Sequence, residues 1–369
     1  MSEFSFDLAT PEDDAAIRRL LATNPVPGHI TLTYEREPNY FLGCGTMGHF
    51  WQVLVARHRP TGAVAGIVCR ATRPLFVNGQ VEEVGYWSQL RVDERFQGRW
   101  LVAQGFRCLR EMHEDGRARA YLATIIEEGR EARGVLVERP RRHFPAFREV
   151  ERLLTLAILL RKPERVPPSP YQVERGSPEQ VGEIVAFLRE HGRARQFFPA
   201  YTEADFADSP LTRGFHAGDF LVARRAGIIV GVVGLWDQSG YKQTVVQAYG
   251  GALGMARLLA NVGIRLAGAQ PLPAPGQPLR FAYASFICMA DNDPEIFRVL
   301  LRRVYNLAAE RGYAFLMVGF AASDPLLEVA RRYVHVPYRS TLYVAGWEDG
   351  REFYEQLDQR PPYVEVASL

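Results

Sequence analysis

The order of apolar and polar positions along the chain divides it into two runs of elements that repeat one another. In the first run, alternation predicts a strand over residues 5–9, and the apolar spacing that follows predicts a helix over 11–22. Thr10 is suited to cap that helix and Pro11 to open it, where its missing N–H costs nothing; the acids behind them suit the positive end of the helix dipole. An irregular stretch extends to about residue 48, and three apolar strands follow at 52–58, 63–71 and 81–92. A helix over 98–114 places Val102, Phe106 and Leu109 on one face. A strand at 120–126, a short helix at 130–138 and a strand at 153–160 close the run. The second run reads as strand 171–174, helix 178–190, strands 220–224, 228–235 and 281–289, helix 294–311, strand 314–318, helix 325–333 and strand 338–345. Within it, residues 239–278 are extra and read as one helix over about 244–266 followed by a proline-rich loop.

The two runs share sequence as well as order. Thr10-Pro11-Glu12 matches Ser177-Pro178-Glu179, and Leu54-Val55-Ala56-Arg57 recurs as Leu221-Val222-Ala223-Arg224; both matches lie 167 residues apart. Gly62 and Gly66 match Gly227 and Gly231 after a shorter turn, and Gly116 and Gly312 each close a helix. The chain is therefore read as a tandem duplication: a first domain over 1–160, a proline-rich linker over 161–170, a second domain over 171–346, and a helix with an extended tail over 347–369.

At 369 residues, 47% hydrophobic and 23% charged, the chain suffices for two ordinary cores. Lys and Arg (44) balance Asp and Glu (42), which argues against nucleic acid as a partner. The acidic start and the shortness of every apolar run argue against a secretion signal and a membrane span, and Cys44, Cys69, Cys108 and Cys288 lack metal-ligand spacing. A cytoplasmic protein without a metal, present as monomer or homodimer, is the expectation.

One stretch carries chemistry. Leu90-Arg91-Val92-Asp93-Glu94-Arg95-Phe96-Gln97-Gly98-Arg99-Trp100-Leu101-Val102 runs from the end of a strand into a helix. It resembles the coenzyme-binding signature of the GCN5-related N-acetyltransferases, with Leu90, Val92, Phe96, Gln97, Gly98 and Arg99 fitting and Trp100 and Val102 standing where the family has small residues. The resemblance covers nearly the whole chain, twice. It implies an α/β (α+β mixed-sheet) fold, two tandem acyl-CoA N-acyltransferase domains, and acetyl-CoA or another acyl-CoA as co-substrate. The pyrophosphate is expected on the backbone amides of Gln97, Gly98, Arg99, Trp100, Leu101 and Val102, where free amides and the helix dipole favour an anion. The pantetheine arm is expected along Leu90, Arg91 and Val92. The matching loop of the second copy, Ala290-Asp291-Asn292-Asp293-Pro294-Glu295, has no glycine, carries three acids and has Pro294 in place of an amide, and is read as non-binding.

The implied activity is transfer of an acyl group, expected to be acetyl, to a small-molecule or peptide amine; the alternative is a catalytically degenerate coenzyme-binding or scaffold protein. Tyr86 and Ser88 occupy the strand positions where family members often carry a catalytic glutamate, and Glu82 and Glu83 lie further back on the strand, Glu83 able to act through water or simply to be solvated. The basic run Arg139, Arg141, Arg142, His143 and Arg148, the aromatic segment from Tyr34 to Trp51, and His29 and His49 are further candidates, each with a plain structural reading.

Overall fold

A computed structural model describes residues 3–28, 30–98, 100–127, 133–138, 144–266 and 268–369. The first half runs β1 (Phe4–Leu8), α1 (Asp14–Ala22), β2 (Ile30–Glu35), β3 (Phe50–His58), β4 (Val64–Val77), β5 (Gln80–Val92), α2 (Leu101–His113), β6 (Tyr121–Ile126), a π turn (Gly134–Glu138) and β7 (Ala146–Leu159). The second runs β8 (Gln172–Arg175), α3 (Val181–Gly192), β9 (Phe220–Arg225), β10 (Ile228–Trp236), β11 (Gln243–Tyr249), α4 (Gly251–Leu266), β12 (Phe281–Met289), α5 (Pro294–Glu310), β13 (Phe315–Ala321), α6 (Leu326–Ala330), β14 (His335–Gly346) and α7 (Arg351–Glu355). Local chemistry explains the matched starts: Asp13 and Gln180 reach back to accept from the amides of Thr10 and Ser177, at 2.9 and 3.0 Å, as capping boxes do. This is a mixed α/β fold of the expected class.

The halves are fused through a single twelve-stranded sheet in the order β1-β3-β4-β5-β6-β14-β7-β13-β12-β10-β9-β8. The last strand of each half is given to the other. β14 lies antiparallel between β6 and β7, and β7 lies antiparallel between β14 and β13. Neither half can complete its own sheet, so every interior edge is covered by the other half.

Three expectations are corrected. β7 starts at Ala146, well before the apolar run at 153, because its first part, Phe147-Arg148-Glu149-Val150-Glu151-Arg152, alternates against a solvated face. Residues 243–249, read as the start of a helix, are strand β11, whose Thr244-Val245-Val246 are β-branched. Their partner is β2, inside the stretch read as irregular, and the two form a separate antiparallel arm joining the halves.

Candidate active site

The site is made by a deliberate defect in the sheet. β5 and β6 run parallel and meet only at Gly85/Tyr121, Tyr86/Leu122 and Trp87/Ala123. Beyond that point Gln89 takes a left-handed φ of 54° and the register against β4 slips between Ile67 and Cys69. Such a bulge bends its strand, and β5 and β6 part into a V. The second half repeats this. β12 and β13 meet at Phe281/Phe315, Ala282/Leu316 and Tyr283/Met317, then part beyond Phe286, which has φ 56° and the matching slip against β10.

The two clefts differ in what closes them. In the first, β5 ends in a 3-10 turn whose Phe96 is buried against Phe4 and His58, fixing the loop to the sheet. Gly98 (φ 75°) and Trp100 (φ 61°) are both left-handed, and α2 then begins at Leu101 with no side chain capping its N-terminus. The first-turn amides of a helix have no partner within it. A Cβ on Gly98 would meet no atom within 4 Å, and Trp100 is 65% exposed. Val102 packs inward with Leu90 against the α2 core and leaves the loop surface clear. The described residues fit the diphosphate of a coenzyme A: a glycine opening and a helix whose N-cap residue makes no side-chain cap hydrogen bond.

In the second half, Asp293 caps α5 by accepting from the Glu295 amide at 2.7 Å, and Pro294 removes another donor. Asn292 is bonded to Arg195 and Asp324, so the loop is committed to internal contacts. The cleft behind it holds the chain's own last residues. Glu365 accepts from the amide of Phe286 at 2.7 Å and from the Tyr363 hydroxyl at 2.8 Å, and Val366 lies so close to β13 that a Cβ on Gly319 would sit 2.1 Å from it. Lys242 donates to the main-chain oxygens of Ala367 and Leu369, at 3.0 and 2.5 Å. The tail is an integral, buried segment.

Glu365 is 4% exposed, and burial, the largest influence, raises its carboxyl above the ordinary range despite the amides and hydroxyl it accepts from. A raised folded pKa adds stability below the unfolded value that is lost as pH climbs through the folded one. Glu365→Gln keeps an acceptor for Phe286 and sheds the charge. We expect its stability relative to the unsubstituted protein to improve in urea denaturation as pH rises above the ordinary glutamate range and to level off above the raised folded pKa; a difference that stays constant with pH would contradict this.

The sequence candidates among the described residues each have a definite place. Tyr86, Ser88 and Arg91 face the side of β5 covered by the arm and by the turn Tyr40–Thr46, while Leu90 and Val92 face α2. The Ser88 hydroxyl lies 2.9 Å from the Met47 sulfur, and Tyr86 is 3.4 Å from Thr124 and pushed up to about 12 by burial. Glu83 lies an odd number of residues back, on the opposite face, exposed, about 10 Å along the strand from Tyr86; burial raises its carboxyl, with His49 and Arg73 acting against the rise. Glu82 pairs with Arg119 at 2.7 Å. His49 binds Asp205 at 2.6 Å, across the two halves. Gln97, Gly98, Trp100, Leu101 and Val102 form the loop and helix start described above, and Arg148 is exposed on β7. Arg99, His29, Arg139, Arg141, Arg142 and His143 lie outside the described residues.

The structure adds residues that the sequence reading passed over. Tyr338 of β14 stands across the V, at the level where β6 has ended, with its hydroxyl 3.3 Å from that of Tyr34 on the arm. Arg36, just past β2, is buried beside Tyr40 and Tyr283, which come from opposite halves. The buried Gln89 Oε1 and Tyr40 hydroxyl have no protein partner. The signal for Tyr34 and Tyr40 was the aromatic segment itself; for Arg36 and Tyr338 there was none. A cavity of about 260 Å³ lies elsewhere, between Arg161 of the linker, Arg302 of α5 and Tyr333. No metal-binding group of side chains and no helix long and apolar enough to cross a membrane occurs among the described residues.

Trp100 itself yields a test. A left-handed non-glycine residue costs roughly 1–2 kcal/mol, and glycine gives back roughly 0.5–1 kcal/mol of that through its looser unfolded state. Trp100→Gly is expected to gain roughly 0.5 kcal/mol in urea denaturation and to retain acetyl-CoA binding by titration. Loss of binding would make the indole part of the site.

No protein-family model matches the sequence, and no curated protein matches it significantly. Solved structures do. Saccharomyces cerevisiae N-myristoyltransferase with bound myristoyl-CoA superposes with a TM-score of 0.62 at 10% identity, over 94% of this chain and 83% of that one. A GCN5-related N-acetyltransferase from Sphaerobacter thermophilus gives 0.55 at 14% identity, over 100% and 99%. A GCN5-related glucosamine N-acetyltransferase region of a fungal β-N-acetylglucosaminidase gives 0.60 at 13% identity, over 94% of this chain and 38% of that one. Strand order, paired bulges and these superpositions agree: the chain has the GCN5-related N-acyltransferase fold, twice over in one sheet.

Proposed function

We propose that this protein is an acyl-CoA-dependent N-acyltransferase whose first cleft works and whose second is a structural wall. The observation that carries the proposal is the contrast between the clefts: α2 starts uncapped behind Gly98 and Trp100, whereas α5 is capped by Asp293 and its cleft is filled by residues 363–369. The α2 amides would hold the coenzyme's diphosphate, and the free edge of β5 beyond Trp87 would pair with the pantetheine amides. The bulge at Gln89 takes main-chain groups of β5 out of the ladder with β4, and one of the freed N–H groups would polarise the thioester carbonyl.

The transfer forms a bond from the amine nitrogen to the acyl carbon and breaks the bond from that carbon to sulfur. The amine loses one proton and the leaving thiolate gains one. Gln89 Oε1 would hold the incoming amine by accepting one of its N–H groups; the proton the amine sheds would pass to water, and the Tyr34–Tyr338 hydroxyl pair would give the thiolate its proton and regain one from water. A short acyl group, acetyl, is supported by the packing on the α2 side of the parted strands, where Trp87, Phe106, Phe144 and Phe147 are already in mutual contact. The other half contributes Tyr283 and the arm strand β11 to the acceptor side. The test is release of free thiol from acetyl-CoA across a panel of primary amines. Amine-dependent release that Tyr338→Phe slows at least tenfold supports the proposal. Tight binding with no amine-dependent release would leave a coenzyme-binding protein without transferase activity.

A further inference from the structure

Two of the buried arginines are paired with carboxylates. Arg70, fully buried, is held by Asp115 through two bonds of 2.8 and 2.6 Å, and buried Arg195 by Asp324. Two arginines on the acceptor side of the first cleft are treated differently. Arg36 is 6% exposed, and its hydrogen bond is to the carbonyl of Glu35, 2.9 Å. It passes over Gly43, where a Cβ would come within 3.3 Å of its side chain. Arg91 donates to the carbonyl of Leu90, 2.9 Å. The groups acting most strongly on Arg36 are Tyr40, Tyr283, Cys44 and Arg91 itself, and those on Arg91 are Tyr34, Tyr338 and Tyr40; no carboxylate is among them. The neighbouring cation Lys242 is already engaged with the tail's main-chain oxygens.

Each guanidinium has five N–H donors in a planar fork suited to a carboxylate or phosphate. Two of them set near each other repel, and among the described residues the hydrogen bond that each makes goes to a main-chain carbonyl rather than to a carboxylate. The place is the acceptor side, opened by the bulge and walled by tyrosines from both halves. We propose that the amine accepted by this enzyme carries an anionic group, a carboxylate or a phosphate, gripped by Arg36 and Arg91 so that the amine points at the thioester. Charge-assisted, bidentate contact would make this group the main determinant of acceptor choice. The inference rests on the acyl-transfer proposal for its meaning, but the anion site can be tested apart from it.

The experiment compares N-acetylglycine with N-acetylglycinamide, and inorganic phosphate with both, as ligands of the coenzyme A-loaded protein by calorimetry. The acid is expected to bind at least tenfold more tightly than the amide and to be displaced by phosphate. Arg91→Gln, measured at saturating coenzyme A, should bring the two within twofold, and Arg36→Lys should keep part of the preference. Should Arg36→Gln fail to fold, the more accessible Arg91 still decides. Equal binding of acid and amide, or no competition by phosphate, would overturn the anion site. If coenzyme A does not bind, the acyl-transfer proposal fails, and the same acid–amide comparison on the free protein still judges Arg36 and Arg91.

Discussion

Gly98→Asp should weaken acetyl-CoA binding at least 100-fold and leave the fold intact. Gly98 has φ 75° with open space beyond it, so the new side chain has room but points a carboxylate into the loop where a diphosphate would lie. Two unit charges about 4 Å apart repel by roughly 4 kcal/mol at a surface-like dielectric, and a 100-fold loss needs only about 2.7 kcal/mol. The same carboxylate lies beside a helix N-terminus that has no side-chain cap, where an acid favours the helix by roughly 0.3–1 kcal/mol. That offsets the roughly 1–2 kcal/mol cost of a left-handed aspartate. Binding and stability should therefore separate: calorimetry loses its signal while the melting temperature moves by no more than a few degrees. A variant that binds as before would remove the loop from the site, and one that unfolds would make Gly98 a structural residue only.

The second large effect should come from the tail. Deleting residues 363–369 takes out Tyr363, Val366 and Ala367, all buried, and strands groups that depend on them. The Phe286 amide loses Glu365, Lys242 loses both main-chain acceptors, and buried Arg73 loses Ser368. Removing the burial of two large apolar side chains costs roughly 3–6 kcal/mol, and each buried donor left without its acceptor costs roughly 1–3 kcal/mol more. The total approaches the whole stability of an ordinary domain, about 5–15 kcal/mol. The deletion is expected to lower the thermal midpoint by more than 10 °C or to prevent folding. Because β7 and β14 are exchanged, the loss should appear as one transition spanning both halves. A midpoint within 2 °C of the parent would mean that the tail is a surface appendage.

These two regions also mark where the sequence was readable. The loop announced itself, because Gln97 and Gly98 follow a long apolar strand and precede an amphipathic helix, and the physics of anion binding at such a junction is local. The duplicated caps, hairpin glycines and strand order were equally local, which is why the fold class could be read. The exchange of β7 and β14 could not, since an apolar strand with two buried faces carries no mark of which edge it will join. β11 was mistaken for a helix because it runs directly into one and its partner β2 lies some two hundred residues away. The burial of the tail could not be read from its extended pattern: Tyr363, Val364, Val366 and Ala367 surround its single acid, but a short apolar run after prolines does not reveal the groove that awaits it. Arg36 stands among Tyr34, Glu35 and Glu37 with nothing in spacing to separate it from an ordinary surface arginine. Its meaning comes from Tyr283, contributed by the other half.

The central claim is one working cleft in a duplicated fold, and the stoichiometry of acetyl-CoA binding tests it most directly. Calorimetric titration of the full chain should give a single class of sites at one coenzyme per chain. Asp293→Ala in the second loop should leave that number unchanged, and Gly98→Asp should abolish it. Two coenzymes per chain, or one that survives Gly98→Asp, would place the working cleft in the wrong half and contradict the account.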